Sequence, residues 1–126
     1  MNKQELESYW KEKSARARKI KSETDLKSAT IDVLSARGFW CWTINAGQIL
    51  LRGRSVQLMP PGSGDIQGIL PPGRVFFLEA KLPGQKQNAN EIEWQAKCEA
   101  HFVDYAVFHT IDEAVGIVEG WANGSR

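Results

Sequence analysis

The chain has 126 residues, which gives room for one domain of ordinary size. Its residues are 42% hydrophobic and 25% charged, a globular composition that excludes a disordered or fibrous protein. Its 16 basic and 15 acidic side chains exclude a uniformly basic coat, though not nucleic-acid binding by a segregated charge.

Residues 1–21 hold seven basic side chains against three acidic, net +4, and residues 22–126 hold nine against twelve, net −3. The basic surplus therefore lies at the N-terminus, where Arg16, Arg18, Lys19 and Lys21 are candidate phosphate contacts. A solvated helix whose charges keep it soluble accounts for the same residues equally well. Residues 2–20 lack Gly and Pro and carry few apolar side chains, so the segment reads as a helical arm over 1–21 preceding one domain over 22–126.

Ser22, with Asp25 three residues on, starts a helix whose apolar stripe is Leu26, Ala29, Ile31, Val33 and Leu34 and which Gly38 ends. The aromatic and β-branched run from Phe39 to Ile44 predicts a strand. Asn45-Ala46-Gly47 reads as a turn, and residues 48–51 and 55–58 as short paired strands around Arg52-Gly53-Arg54. After the loop Pro60 to Gly64, the segment 65–70 is strand-like, Pro71-Pro72-Gly73 turns the chain, and 75–81 has the apolar front half of a central strand. A helix from Glu91 to Phe102, a strand over 105–108 and a helix capped by Thr110 complete an α/β chain, read as α+β around one mixed sheet. No apolar run reaches the roughly 20 residues that span a bilayer, and the polar start lacks the apolar core of a secretory signal. Cys41 and Cys98 form no Cys-x-x-Cys pair, which argues against disulfides and a cysteine-held zinc. A cytoplasmic protein without membrane contact is expected.

Chemistry concentrates at Asp65, Glu79 and Lys81. Glu79 and Lys81 lie two apart on a strand and so share a face, at the end of a segment that is otherwise apolar. Such a local inconsistency is tolerated at a sheet edge or at a working site. Strand pairing through the Pro71-Pro72-Gly73 turn brings Asp65 towards Glu79. Two adjacent carboxylates suit Mg²⁺ or Mn²⁺, which can lower the pKa of a water and stabilise a phosphodiester transition state. Lys81 would offset the developing charge. An ordinary ion pair at a sheet edge uses the same Glu-x-Lys residues.

The residues Gly62-Ser63-Gly64-Asp65-Ile66-Gln67-Gly68, Phe77-Leu78-Glu79-Ala80-Lys81 and Trp94-Gln95 resemble the PD-(D/E)XK nuclease superfamily, and within it the short stand-alone, phage-type members with a VRR-NUC domain. The helix from Ser22-Glu23 to Gly38 and the Asn45-Ala46-Gly47 turn extend the resemblance, which runs from about residue 22 to 114. Gly64 stands where the motif has Pro, and Val-Arg-Arg occurs nowhere in the chain.

The resemblance implies a restriction-endonuclease-like αβββαβ core and a Mg²⁺- or Mn²⁺-dependent hydrolase acting as a DNA endonuclease. Asp65 and Glu79 would be metal ligands, Lys81 the catalytic lysine, and Gln95 and Glu23 further active-site residues. Arg52, Arg54 and Lys86 join the N-terminal cations as candidate DNA contacts. Small relatives resemble Holliday junction resolvases, which implies a homodimer on branched or double-stranded DNA with no small-molecule cofactor besides metal. For a phage-encoded member the compartment would be the host cytoplasm. The alternatives are a non-catalytic nucleic-acid-binding or assembly module on the same fold, and an interaction protein that uses its aromatic residues.

Overall fold

The computed structural model describes residues 1–44, 48–57 and 59–124. Its elements in chain order are α1 (Lys3–Arg16), α2 (Glu23–Ala36), β1 (Trp40–Thr43), β2 (Gln48–Leu51), β3 (Arg54–Gln57), β4 (Ile66–Leu70), β5 (Arg74–Ala80), α3 (Ala89–Ala100), β6 (Asp104–Phe108) and α4 (Ile111–Ala122). This is a mixed α+β architecture. The turn expected at Asn45-Ala46-Gly47, and Leu58 of the expected hairpin, lie outside the described residues.

The strands do not form the single sheet expected. β1, β4, β5 and β6 make a four-stranded sheet in the order β1-β4-β5-β6, while among the described residues β2 and β3 pair only with each other. The β2–β3 turn explains the separate hairpin: Arg52 at φ 51 and Gly53 at φ 75 supply two consecutive left-handed residues, which match the twist of a tight hairpin. β1, β4 and β5 run antiparallel, and β6 returns parallel to β5 through α3.

Alternation along β5 sorts the domain into layers. Phe76, Leu78 and Ala80 face α2 and α4, where they join Leu26, Val33, Leu34, Ala114, Val115 and Val118 in the core. Phe77 points the other way and meets Trp94 of α3 edge-on, with ring centroids 5.3 Å apart. Burial on both faces explains why β5 reads as a continuous apolar run before Glu79. Gly68 is required at its position, because a Cβ there would sit 2.2 Å from the Phe76 ring.

The helix starts follow their caps. Ser22 Oγ accepts from Asp25 N–H, Asn88 Oδ1 from Glu91 N–H and Thr110 Oγ1 from Glu113 N–H. The cap at Asn88 moves the start of α3 two residues ahead of the Glu91 expected from apolar spacing. Gly38 follows α2 at φ 89, as a C-terminal glycine should.

Residues 3–16 do not extend away as an arm. Ala15 is fully buried in the core, and Arg16 of α1 and Arg18 just after it pair with acids of the packed helices. Arg16 binds Glu12 at 3.1 Å and Asp112 of α4 at 2.5 Å, and Arg18 binds Asp32 of α2 at 2.6 Å. Arg37 completes the clasp by joining Glu12 to Glu119. No helix among the described residues is long and apolar enough to cross a membrane.

The two classes of ion pair should differ in weight. Arg74 and Asp104 are largely buried, pair at 2.5 Å, and Arg74 also donates to the Trp121 carbonyl at 2.7 Å. Asp104→Ala should cost about 3 kcal/mol, because it strands a guanidinium away from water. Asp112→Ala, whose side chain is 84% exposed, should cost less than about 1 kcal/mol. Urea denaturation of the two variants checks the contrast.

Candidate functional site

The pairing of β4 with β5 sets the site. The last ladder pair is Ile66 with Leu78, and Asp65 N–H still donates to the Leu78 carbonyl at 2.9 Å. Asp65 therefore lies at the mouth of the hairpin beside Glu79 and Ala80. Its Oδ2 accepts from Ala80 N–H at 2.8 Å, so the carboxylate closes the end of β5. Gly64 before it has φ 95, a value proline cannot adopt, which is the physical reason this chain has no Pro at that position.

Glu79 is 1% exposed and lies on the α3 face of the sheet, two residues beyond Phe77. Both its carboxylate oxygens are buried without a partner at hydrogen-bond geometry. Glu91 of α3 and Tyr105 of β6 face it nonetheless. Burial, and then the neighbouring Glu91 carboxyl, push the Glu79 carboxyl from the ordinary 4.5 up to about 8. At neutral pH and without a cation, Glu79 is thus the protonated member of an acid pair. Glu91 is held below the usual carboxylate range, since the Glu79 proton, the Asn88 N–H and Lys81 together outweigh its own burial.

Lys81 lies 3.0 Å from Glu91 Oε1 and 3.8 Å from Glu23 Oε1. Burial alone would lower its ammonium, but the hydrogen bond to Glu91 and the charges of Glu91, Glu23 and Glu79 win, so its pKa is raised. Lys81 is therefore a fixed cation rather than a proton acceptor. Its backbone is pinned as well, with N–H donating to the Phe108 carbonyl at 3.0 Å and the carbonyl 3.0 Å from His109 Nδ1. Asp65 is raised by burial, against the opposing Ala80 N–H.

Gln95 accepts from Gln87 Nε2 at 3.0 Å and donates to Glu99 at 2.9 Å, and Gln87 also donates to the Tyr105 hydroxyl at 3.1 Å. Gln95 thus reaches the centre through Gln87 and Tyr105. Among the residues named from the sequence, Asp65, Glu79, Lys81 and Glu23 gather at the end of β5. Arg16 and Arg18 are bound to acids on other helices, while Lys19, Lys21, Arg52, Arg54 and Lys86 are exposed.

Glu91, Tyr105 and Gln87 complete the cluster and were not read from the sequence. The spacing Asn88-Ala89-Asn90-Glu91 is a capping-box signature that could have singled out Glu91, since both reciprocal bonds form, Asn88 N–H to Glu91 Oε1 at 2.7 Å and Glu91 N–H to Asn88 Oδ1 at 2.9 Å. Glu91 Oε1 therefore caps α3 and holds Lys81 together. The loop before Asp65 sets where this helix begins. A Cβ on Gly62 would meet the Asn90 carbonyl carbon at 2.3 Å and Glu91 N at 2.6 Å.

The donor set consists of hard carboxylate oxygens, and the orphaned oxygens of Glu79 ask for a proton or a cation. No group of three or more His, Cys, Asp or Glu side chains among the described residues is arranged to hold a metal by itself. Mg²⁺ and Mn²⁺ keep several waters and need only one or two carboxylates, so the residues present fit such an ion.

Two outcomes follow. The folded state holds a proton on Glu79 that the unfolded chain releases near pH 4.5, so metal-free stability should fall as pH rises from about 4.5 to about 8. Glu79→Gln should flatten that part of the profile and stabilise the protein at pH 8, as read by thermal melts in EDTA. Gly62→Ala should push the α3 N-terminus and Glu91 away from Lys81, lowering stability by about 1–3 kcal/mol in urea titration. Comparison of the chain with family models, with curated proteins and with solved structures gave no match.

Proposed function

We propose that this protein is a metal-dependent nuclease that hydrolyses phosphodiester bonds in DNA. The observation that carries the reading is the Glu79 carboxyl, fully buried with two orphaned oxygens, set beside Lys81, Glu91 and Asp65 at the end of a central strand. Burying a carboxyl in this way costs free energy that a purely structural strand end would avoid. The order α2-β1-β4-β5-α3-β6, with the β2–β3 hairpin inserted, supports a restriction-endonuclease-like αβββαβ core.

In this reading Asp65 and Glu79 would hold Mg²⁺ or Mn²⁺. Such an ion would supply charge for the phosphodiester oxygens and lower the pKa of a water. Glu79 would release its proton to solvent as the cation took its place. Lys81 presents a permanent positive charge to the phosphate as negative charge builds in the transition state. Glu91 and Glu23 orient that ammonium, and the Gln95–Gln87–Tyr105 chain fixes the side of the site nearest Glu79. The substrate is taken as branched or junction DNA rather than a base sequence, following the resemblance of the Asp65, Glu79 and Lys81 segments to the small nucleases of this kind. A homodimer would present two sites to two equivalent strands.

Cleavage of labelled linear, flap and four-way-junction DNA in Mg²⁺, Mn²⁺ or EDTA tests this directly. Lys81→Ala should lower cleavage by at least about a hundredfold while leaving DNA affinity in EDTA nearly unchanged, since one lysine among many phosphate contacts adds little to binding. Retained cleavage by Lys81→Ala would reduce the site to a structural ion pair. Mn²⁺ titration calorimetry in buffers of different ionisation enthalpy should show proton release on binding near pH 7, and Glu79→Gln should abolish it. A parent protein that binds DNA but neither Mn²⁺ nor Mg²⁺ would instead be a non-catalytic binding module.

A further inference from the structure

The face of the sheet that carries Glu79 continues past the edge of α3. Register settles which residues share it. Trp40 pairs with Ile69 and Trp42 with Gln67 across β1–β4, and Ile69 and Gln67 pair with Val75 and Phe77 across β4–β5. Directly paired residues point to the same side, so Trp40, Trp42, Ile69, Val75, Phe77 and Glu79 lie on one face. Over Phe77 that face is closed by Trp94. Over β1 it is open, and Trp40 is 67% exposed.

The two indoles form a unit. Their ring centroids are 5.3 Å apart with the planes inclined at 59°. Beside Trp40 runs a groove of about 270 Å³ lined by Phe39, Ile69, Leu70 and Pro71. An exposed tryptophan at the mouth of an apolar groove is costly in water, and the main core cluster lies on the opposite face of β4 and β5.

We propose that Trp40 and Trp42 form a stacking platform for the unpaired bases of single-stranded DNA led across the sheet to the Glu79 centre. The inference rests on the nuclease reading and narrows its substrate to DNA with an open strand. Three observations favour this occupant. The platform and the acidic centre share a face. With about 4.8 Å between strands and about 3.4 Å per residue, the Cα atoms of Trp42 and Trp40 lie about 12 and 17 Å from that of Glu79. That span corresponds to about four or five stacked nucleotides at about 3.4 Å each, and to fewer in an unstacked strand. The β2–β3 hairpin also presents Arg52 and Arg54 to solvent, which gives the chain exposed cations for the phosphates of such a strand. A duplex hides its base faces and offers the indoles nothing to stack on, whereas flaps and junctions leave bases open.

The test is binding, measured in EDTA so that no cleavage intervenes. Fluorescence anisotropy of labelled oligo(dT) and of a blunt duplex would be compared for the parent protein, Trp40→Ala and Trp40→Phe. Trp40→Ala should weaken oligo(dT) binding about tenfold or more, leave duplex binding unchanged, and be largely rescued in Trp40→Phe. Equal oligo(dT) affinity in Trp40→Ala and parent overturns the inference, as does an equal loss on both DNAs. Light scattering covers the remaining occupant: a parent dimer that becomes monomeric in Trp40→Ala, with oligo(dT) affinity intact, makes the face a contact between two copies and also overturns it. The nuclease reading is judged separately by Mn²⁺-dependent cleavage by the parent. Cleavage with no Trp40 effect refutes the platform alone, and a Trp40 effect without cleavage refutes the nuclease alone.

Discussion

Everything at the candidate site depends on one buried carboxyl. Glu79 sits where β5 leaves the core, with its neighbours Leu78 and Ala80 turned into apolar packing and its own side chain turned towards α3. An isolated carboxylate there would be expensive, so the surroundings are arranged around a proton or a cation. The acid of Glu91, the hydroxyl of Tyr105 and the ammonium of Lys81 are the local answer in the metal-free protein. In the proposed reading the same carboxyl would be a metal ligand.

Geometry around that carboxyl is held from several directions. Asp65 ties the mouth of the β4–β5 hairpin to the Ala80 amide. His109 and Phe108 fix the backbone of Lys81 from β6 and the start of α4. The capping box of α3 holds the Glu91 carboxylate in place, and Gly62 lets the preceding loop pack directly on the same helical turn. A cap that ordinarily stabilises a helix start here also aims an acid at a lysine. Such multiple restraint is what lets a charged centre keep its shape without a ligand.

The N-terminal cations show how folding divides a charge total. A net +4 over residues 1–21 suggests a phosphate-seeking arm, yet Arg16 and Arg18 are consumed by Glu12, Asp112 and Asp32, and Arg37 reaches back from the end of α2 to the same Glu12. Each of these pairs is at least partly exposed and weak alone, but together they orient a helix that contributes only Ala15 to the core. Of the cations read from the sequence as candidate phosphate contacts, Lys19, Lys21, Arg52, Arg54 and Lys86 are exposed, and Arg18 is exposed but paired with Asp32.

The sequence by itself determined the elements and the centre of the site. Caps, glycines and period-two or helical spacing are local signals, so ten elements were readable to within a few residues, and Glu79 and Lys81 share a face by strand geometry alone. Asp65 could be brought to them because the Pro71-Pro72-Gly73 turn leaves little freedom of register. Only the tertiary structure decided the rest. Glu91 joins the centre because the β5–α3–β6 crossover lays the first turn of α3 over β5, a placement that no local pattern encodes. The β2–β3 pair stands apart from the main sheet, although its sequence differs little from that of strands that join it. Whether an arginine is free for phosphate or locked to an acid depends on which helices meet, and residues 96 positions apart, such as Arg16 and Asp112, meet only when the chain has folded.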